Sequence, residues 1–234
     1  MPEHLVFTLA AQLAAMGDLA GHERRGSLTW PGRSAVLGLL GAALGLRRED
    51  DFAALDALSV GVAVFEPGQP LRDYHTAQTV PTAAVRRPQS RPEALARGAG
   101  ALNTTITLRD YRAGVLFGVA LGGGDLVSLQ TALERPAFQL YLGRKACPLS
   151  APLAPRIVEA DDAAAALAQL VLPPWHRGAV ARVLHADHGM MPGLPRQVEQ
   201  RHDTPLDRRK WHFAAREVQV YEVEIRPDAA AEVA

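Results

Sequence analysis

An α+β fold is predicted: a ferredoxin-like (RRM-like) N-terminal domain followed by a small β-rich C-terminal region. Three observations carry that expectation. Short runs rich in β-branched and aromatic residues alternate with stretches whose apolar residues recur at helical spacing. With the aperiodic stretch 67–107 set aside, residues 5–142 read strand–helix–strand–strand–helix–strand, the order of the ferredoxin-like unit. Pro148, Pro152 and Pro155 then mark a boundary, placing one domain at residues 1–149 and the second region at 150–234. A chain of 234 residues accommodates one large domain or a small pair, and its 48% hydrophobic content supports a real core.

Taken in order, Leu5–Leu9 is the first strand, followed by the polar stretch 17–29 with His22, Glu23, Arg24 and Arg25 inside it. Pro31 precedes a helix over Ser34–Leu44, whose Val36, Leu37, Leu39, Leu40, Ala43 and Leu44 share the helical period. Gly38 and Gly41 weaken it by up to about 1 kcal/mol each relative to Ala, tolerable where the helix packs tightly. Asp50–Leu58 is a short helix and Val60–Phe65 a strand. Residues 67–107 are rich in Pro, Arg, Ala and Gly and read as a long loop, a kind of segment that is often functional. Val115–Leu121 is the next strand, Gly122-Gly123-Gly124 a turn, and Asp125–Leu133 a helix opened by an acid that complements its dipole. Phe138–Leu142 completes the set as a strand. Beyond the prolines, Asp161–Leu172 is an Ala-rich helix ended by Pro173-Pro174, and Ala179–His185 and Val218–Ile225 are strands.

The formal net charge is zero, so no global electrostatic argument favours a polyanionic partner. The distribution is uneven. Residues 71–112 carry seven Arg against three acids, whereas five acids and one Arg follow from Glu217 onward. One Cys excludes an intrachain disulfide and a cysteine-based zinc site. No apolar run approaches the roughly 18–20 residues that span a bilayer, so a soluble, cytoplasmic protein without membrane contact is expected.

Several residues invite a chemical reading. In Tyr141-Leu142-Gly143-Arg144-Lys145-Ala146-Cys147-Pro148-Leu149, two cations follow a Gly where a strand ends, a corner suited to phosphate. Arg33 and Ser34 stand at a helix start, where unsatisfied N–H groups and the dipole favour anions. Tyr74 and His75 offer rings that stack on a splayed base, or an acid–base pair for RNA cleavage completed by His22 and Lys145. Arg86, Arg87, Arg91 and Arg97 lie among prolines in the long loop, where cations suit a partner's phosphates. Five of the eight His fall in the C-terminal part without metal-ligand spacing, so neither a metal nor another cofactor is expected. Cys147 reads as a small packed residue beneath its turn.

Five segments in fixed order resemble one family, the CasD subunit of the type I-E CRISPR surveillance complex (Cascade). They are Pro31–Gly45, Leu71-Arg72-Asp73-Tyr74-His75-Thr76, Thr107-Leu108-Arg109-Asp110-Tyr111, Tyr141–Leu149, and His202-Asp203-Thr204-Pro205 with Trp211–Arg216. The resemblance runs from Leu5 to about Val218. It implies a ferredoxin-like domain with a thumb inserted at about 67–113, a non-catalytic role capping the 5′ handle of the guide RNA (crRNA), and contacts with the backbone and large subunits. The handle contacts it implies are Arg25, Arg33, Ser34, Tyr74, His75, Arg109, Arg144 and Lys145, with Arg86, Arg87, Arg91 and Arg97 contacting RNA or the backbone subunit. Ala14 and Met16 stand where the family commonly has Gln and Trp. The rival reading is a metal-independent endoribonuclease that processes repeat RNA through Tyr74, His75 and Lys145.

Overall fold

The computed structural model describes residues 1–20, 23–81, 83–208, 210 and 212–227. In chain order the elements are β1 (Glu3–Ala14), β2 (Gly17–Ala20), β3 (Arg24–Ser27), α1 (Arg33–Leu44), α2 (Ala53–Asp56), β4 (Ser59–Glu66), β5 (Gln69–Thr79), α3 (Arg91–Arg97), β6 (Asn103–Gly122), α4 (Leu126–Glu134), β7 (Arg156–Glu159), α5 (Ala163–Leu167), β8 (Ala181–Ala186), β9 (Gln197–Asp207) and β10 (His212–Ile225). All the described strands join one sheet, so the architecture is mixed α/β and dominated by antiparallel pairing.

The long axis of that sheet runs β7-β1-β6-β4-β8-β10-β9, antiparallel throughout. Between β1 and β4 the chain passes through α1, and between β6 and β7 it passes through α4. Side chains alternate across the strands, and both faces are covered. Leu5, Phe7, Leu9, Val60, Val62, Phe117 and Val119 pack under α1 and α4. Val6, Ala10, Ala63, Phe65, Leu116 and Ala120 pack on the opposite face against α5, Leu170 and Leu172. That two-sided burial explains why β1 and inner β6 read as continuous apolar runs. Gly41 lets α1 approach Phe52, because a Cβ there would lie 2.6 Å from the ring.

Three expectations need correction. Phe138–Leu142 is no strand beyond an isolated bridge between Tyr141 and Pro148. The edge of β1 is already occupied: Ser150 N–H donates to Ala10 O, Thr8 N–H donates to Leu153 O, and β7 pairs with Glu3–Val6. The helix expected over Asp161–Leu172 stops at Leu167, because Leu170 and Leu172 turn inward onto the sheet. The stretch 67–107 is not an irregular loop either. β5 runs antiparallel to outer β6 in unbroken register from Gln69↔Ala113 to Thr79↔Asn103, and α3 forms part of the tip. This arm shows solvent along nearly all of β5, so it has no buried face to impose a period-2 pattern.

The boundary expected at 149/150 falls inside the sheet. β7 completes the edge beside β1, and β8 carries the C-terminal strands onto β4.

Candidate nucleic-acid interface

Two clusters of Arg and Asp organise the molecule, and only one leaves cations uncommitted. At the joint between α1 and the C-terminal strands, the Arg33 guanidinium donates to Leu58 O (2.6 Å), Asp56 O (2.7 Å) and Asp187 Oδ2 (2.8 Å). Arg33 N–H, at the start of α1, donates to Asp203 Oδ2 at 3.0 Å. Arg216 grips both Asp203 oxygens, at 2.9 and 3.0 Å, and also pairs with Asp187. Asp203 therefore occupies the helix N-terminus as the anion that the dipole attracts. Arg33, expected to meet a phosphate, is buried and used internally. Exposed Ser34 stands beside the same joint. The segments Pro31–Ser34, His202–Pro205 and Arg216 are thus drawn together by packing between elements. Trp211 lies outside the described residues.

The second cluster sits at the root of the arm. Two copies of Leu-Arg-Asp-Tyr, at 71–74 and 108–111, lie antiparallel with Leu71↔Tyr111, Arg72↔Asp110, Asp73↔Arg109 and Tyr74↔Leu108. Because alternate residues face opposite sides, the duplication writes two different surfaces. On one, Asp110 accepts from Arg72 (2.6 and 3.2 Å) and from Arg24 of β3 (3.0 and 2.9 Å). The hydrogen bond from Arg72, seconded by Arg24, pulls the Asp110 carboxyl down to about 2 against the opposing effect of burial. Tyr74 belongs to this surface and is 70% exposed.

On the other surface stand Asp73, His75, Arg109 and Tyr111, with Arg25 beside Arg109 through the parallel β3–β6 register. The Arg144 guanidinium lies 4.5 Å over the Tyr111 ring, a cation–π contact. Arg109 Nε and Arg144 NH1 are buried and find no acceptor among the described residues. Asp73 and Arg109 are register partners but form no ion pair there, in contrast to Arg72 and Asp110. Arg25 and Lys145 are exposed.

Gly143 sets the position of Arg144. Its φ is +88°, and a Cβ would fall 1.7 Å from Ala15 O, so only Gly permits the loop to lie against the end of β1. Ala15 N–H donates to Leu142 O at 3.1 Å, and Ala14 is the register partner of Arg112, which brings the loop beside Tyr111. Cys147 is buried beneath this turn, where desolvation raises its thiol pKa. Ala14 and Met16, which stand in place of the Gln and Trp expected there, are also buried.

The structure gathers Arg25, His75, Arg109 and Arg144 on one surface, with Lys145 next to Arg144. Tyr74 is separated from His75 because consecutive strand residues face opposite sides. His22 lies outside the described residues. Arg86, Arg87, Arg91 and Arg97 are all exposed at the tip, six register steps or roughly 20 Å beyond Asp73. Arg91 donates to Gln78 O and Arg97 pairs with Glu93. Sequence reasoning missed Tyr111, Asp110 and Arg24 as members of the root, and the duplicated tetrapeptide was the available signal. Among the described residues no group of three His, Cys, Asp or Glu could hold a metal ion, and no helix is long and apolar enough to cross a membrane.

Comparison with known proteins places this geometry in context. The family model for CRISPR-associated protein (Cas_Cas5) matches residues 4–219. The Cascade subunit CasD of Escherichia coli strain K12 is 33% identical over 186 residues, covering 71% of this chain and 76% of that protein. A solved structure described as a CRISPR RNA-guided surveillance complex contains a chain that superposes with a TM-score of 0.71 at 25% identity, covering 95% of this chain and 90% of that one. A crystal structure of a Cas protein superposes at 0.61, also at 25% identity, over 96% of both chains.

Proposed function

The chain belongs to the Cas5 family of CRISPR-associated proteins, and from that premise we propose that it is a non-catalytic RNA-binding subunit of a type I-E surveillance complex. It caps the 5′ handle of the guide RNA and contacts the backbone and large subunits in the cytoplasm. The observation that carries the reading is the surface of Arg25, Arg109 and Arg144, three cations that form no ion pair among the described residues and outnumber the one acid there, Asp73, next to Tyr111 and His75. Phosphates take the guanidinium groups, and the rings stack on unpaired bases. The arm corresponds to the family's thumb, and the strand order β7-β1-β6-β4 with its two crossover helices supports the ferredoxin-like assignment. Its tip arginines reach the neighbouring subunit or its RNA. Tyr74 and His75 face opposite sides of the arm, which favours binding over their joint action as an acid–base pair. The direct test is binding of RNA carrying the handle, measured across a salt series. Arg109→Ala with Arg144→Ala should weaken binding and flatten the log–log slope by about 1.4, near 0.7 for each lost phosphate contact. Wild-type affinity and slope in that variant would overturn the assignment.

A further inference from the structure

We infer that Asp110 is a positioning residue for RNA: a carboxylate near the binding surface that strengthens capture of a polyanion by holding β3 in place. The inference rests on the RNA-binding reading above. β3 has four residues, shows solvent at Arg24 and Arg25, and pairs with β6 at two positions, Arg24↔Leu108 and Arg25↔Arg109. One further backbone bond, from Leu108 N–H to Glu23 O at 2.7 Å, supports it. Its other neighbour is the four-residue β2, paired at Gly17↔Ser27 and Ala20↔Arg25, and two strands this short do little to hold themselves against the sheet. The forked contact of Arg24 with Asp110 holds β3 there, and the same carboxylate ties Arg72 of β5 from the other side. Asp110 thus fastens both neighbours of outer β6 from the surface opposite the free cations. The consequence on the RNA side is that Arg25 is presented beside Arg109.

The duplicated tetrapeptide supplies an internal control. Asp73 occupies the pseudo-equivalent place on the RNA-facing surface, is exposed, and makes no ion pair among the described residues. Removing a negative charge near a polyanion strengthens binding by simple electrostatics. Asp73→Asn should therefore bind handle RNA slightly more tightly. Asp110→Asn frees two arginines as well, so charge alone predicts a larger gain. Positioning predicts the opposite sign, a loss of at least about tenfold, comparable to one charge-assisted contact.

The experiment measures handle-RNA affinity for the purified full chain carrying Asp110→Asn, Asp110→Glu or Asp73→Asn, with folding checked by circular dichroism. The expected result is weakening in Asp110→Asn, recovery to near wild type in Asp110→Glu, and no weakening in Asp73→Asn. Binding by Asp110→Asn that equals or exceeds wild type overturns the inference, as does an Asp110→Glu variant as weak as Asp110→Asn. Equal losses at Asp73 and Asp110 overturn it too. Should Asp110→Asn not fold, Arg24→Gln severs the β3 side alone. Amide exchange should then rise at residues 24–27 and stay unchanged along β5, with affinity falling by a similar factor; unaltered exchange at β3 rejects the role. A wild-type chain that fails to bind handle RNA sinks the proposed function instead, which separates the two failures.

Discussion

The joint and the arm root use the same residue types for opposite ends. At the joint, Arg33 and Arg216 are matched by Asp187 and Asp203, and all four side chains are buried or nearly so, at 9–17% exposure. Those two guanidiniums tie α1 to α2, to Leu58 before β4 and to Asp187 just after β8, and tie β10 to β9 and to the same Asp187. At the root, Asp110 satisfies Arg24 and Arg72 on one surface, while Arg25, Arg109 and Arg144 on the other form no ion pair among the described residues, even though Asp73 stands across from Arg109. The difference teaches that an arginine's role follows from compensation and burial. Arg33 stands at a helix start, where a phosphate would suit it, but Asp203 already takes the anion's place.

Breaking the joint should have the largest effect. Asp203→Ala leaves the Arg216 guanidinium without one of its carboxylates and the Arg33 backbone N–H without its acceptor in a buried site, and should destabilise the chain by about 3–5 kcal/mol in denaturant titration. A loss within about 0.5 kcal/mol would mean that the joint is solvated and the contrast with the root false. The pH dependence of the Trp30–His185 stack comes next. His185, stacked on Trp30 with ring centroids 4.0 Å apart, is lowered to about 4 by desolvation, with Arg201 lowering it further and Glu199 opposing. The folded state therefore holds the ring neutral where an unfolded chain would protonate it. Stability should be full above about pH 6.5 and fall as pH drops toward 4, by up to about 3 kcal/mol in all. His185→Phe should flatten that dependence in melts across the range; an unchanged profile would show that another group titrates.

The root should respond in binding and hardly at all in stability. Arg109→Ala with Arg144→Ala should cost about 1.5–3 kcal/mol of handle affinity, the scale of hydrogen bonds to charged groups. Chemical denaturation should show a much smaller change, and a comparable loss of folding free energy would make these residues structural, as at the joint. The smallest effect on folding is expected at the tip. Replacing Arg86, Arg87, Arg91 and Arg97 with Ala should alter stability by well under about 1 kcal/mol while reducing co-purification with guide RNA and the backbone subunit. Unchanged assembly at physiological salt would leave the tip a solvated charge cluster. Repeat RNA should stay intact with purified protein in EDTA; cleavage that disappears in His75→Ala would restore the nuclease reading.

The apolar runs at Leu5–Leu9, Val60–Phe65 and Val115–Leu121, and the helical spacing over Ser34–Leu44, determined the central sheet and its first helix. Hydrophobic periodicity is a local record of burial, and these segments are buried. The arm was illegible for the same reason: with both surfaces wet, β5 and outer β6 carry no period, and only the repeated Leu-Arg-Asp-Tyr hinted at their pairing. Sequence also set Arg144 and Lys145 just after Gly143, whose φ of +88° turns the chain there. The tertiary structure decided which cations are free. Asp187 is 154 residues from Arg33 and Asp203 is 170 residues from it. A partner that distant leaves no trace in local spacing, because the ion pair exists only once β8, β9 and β10 have closed against α1.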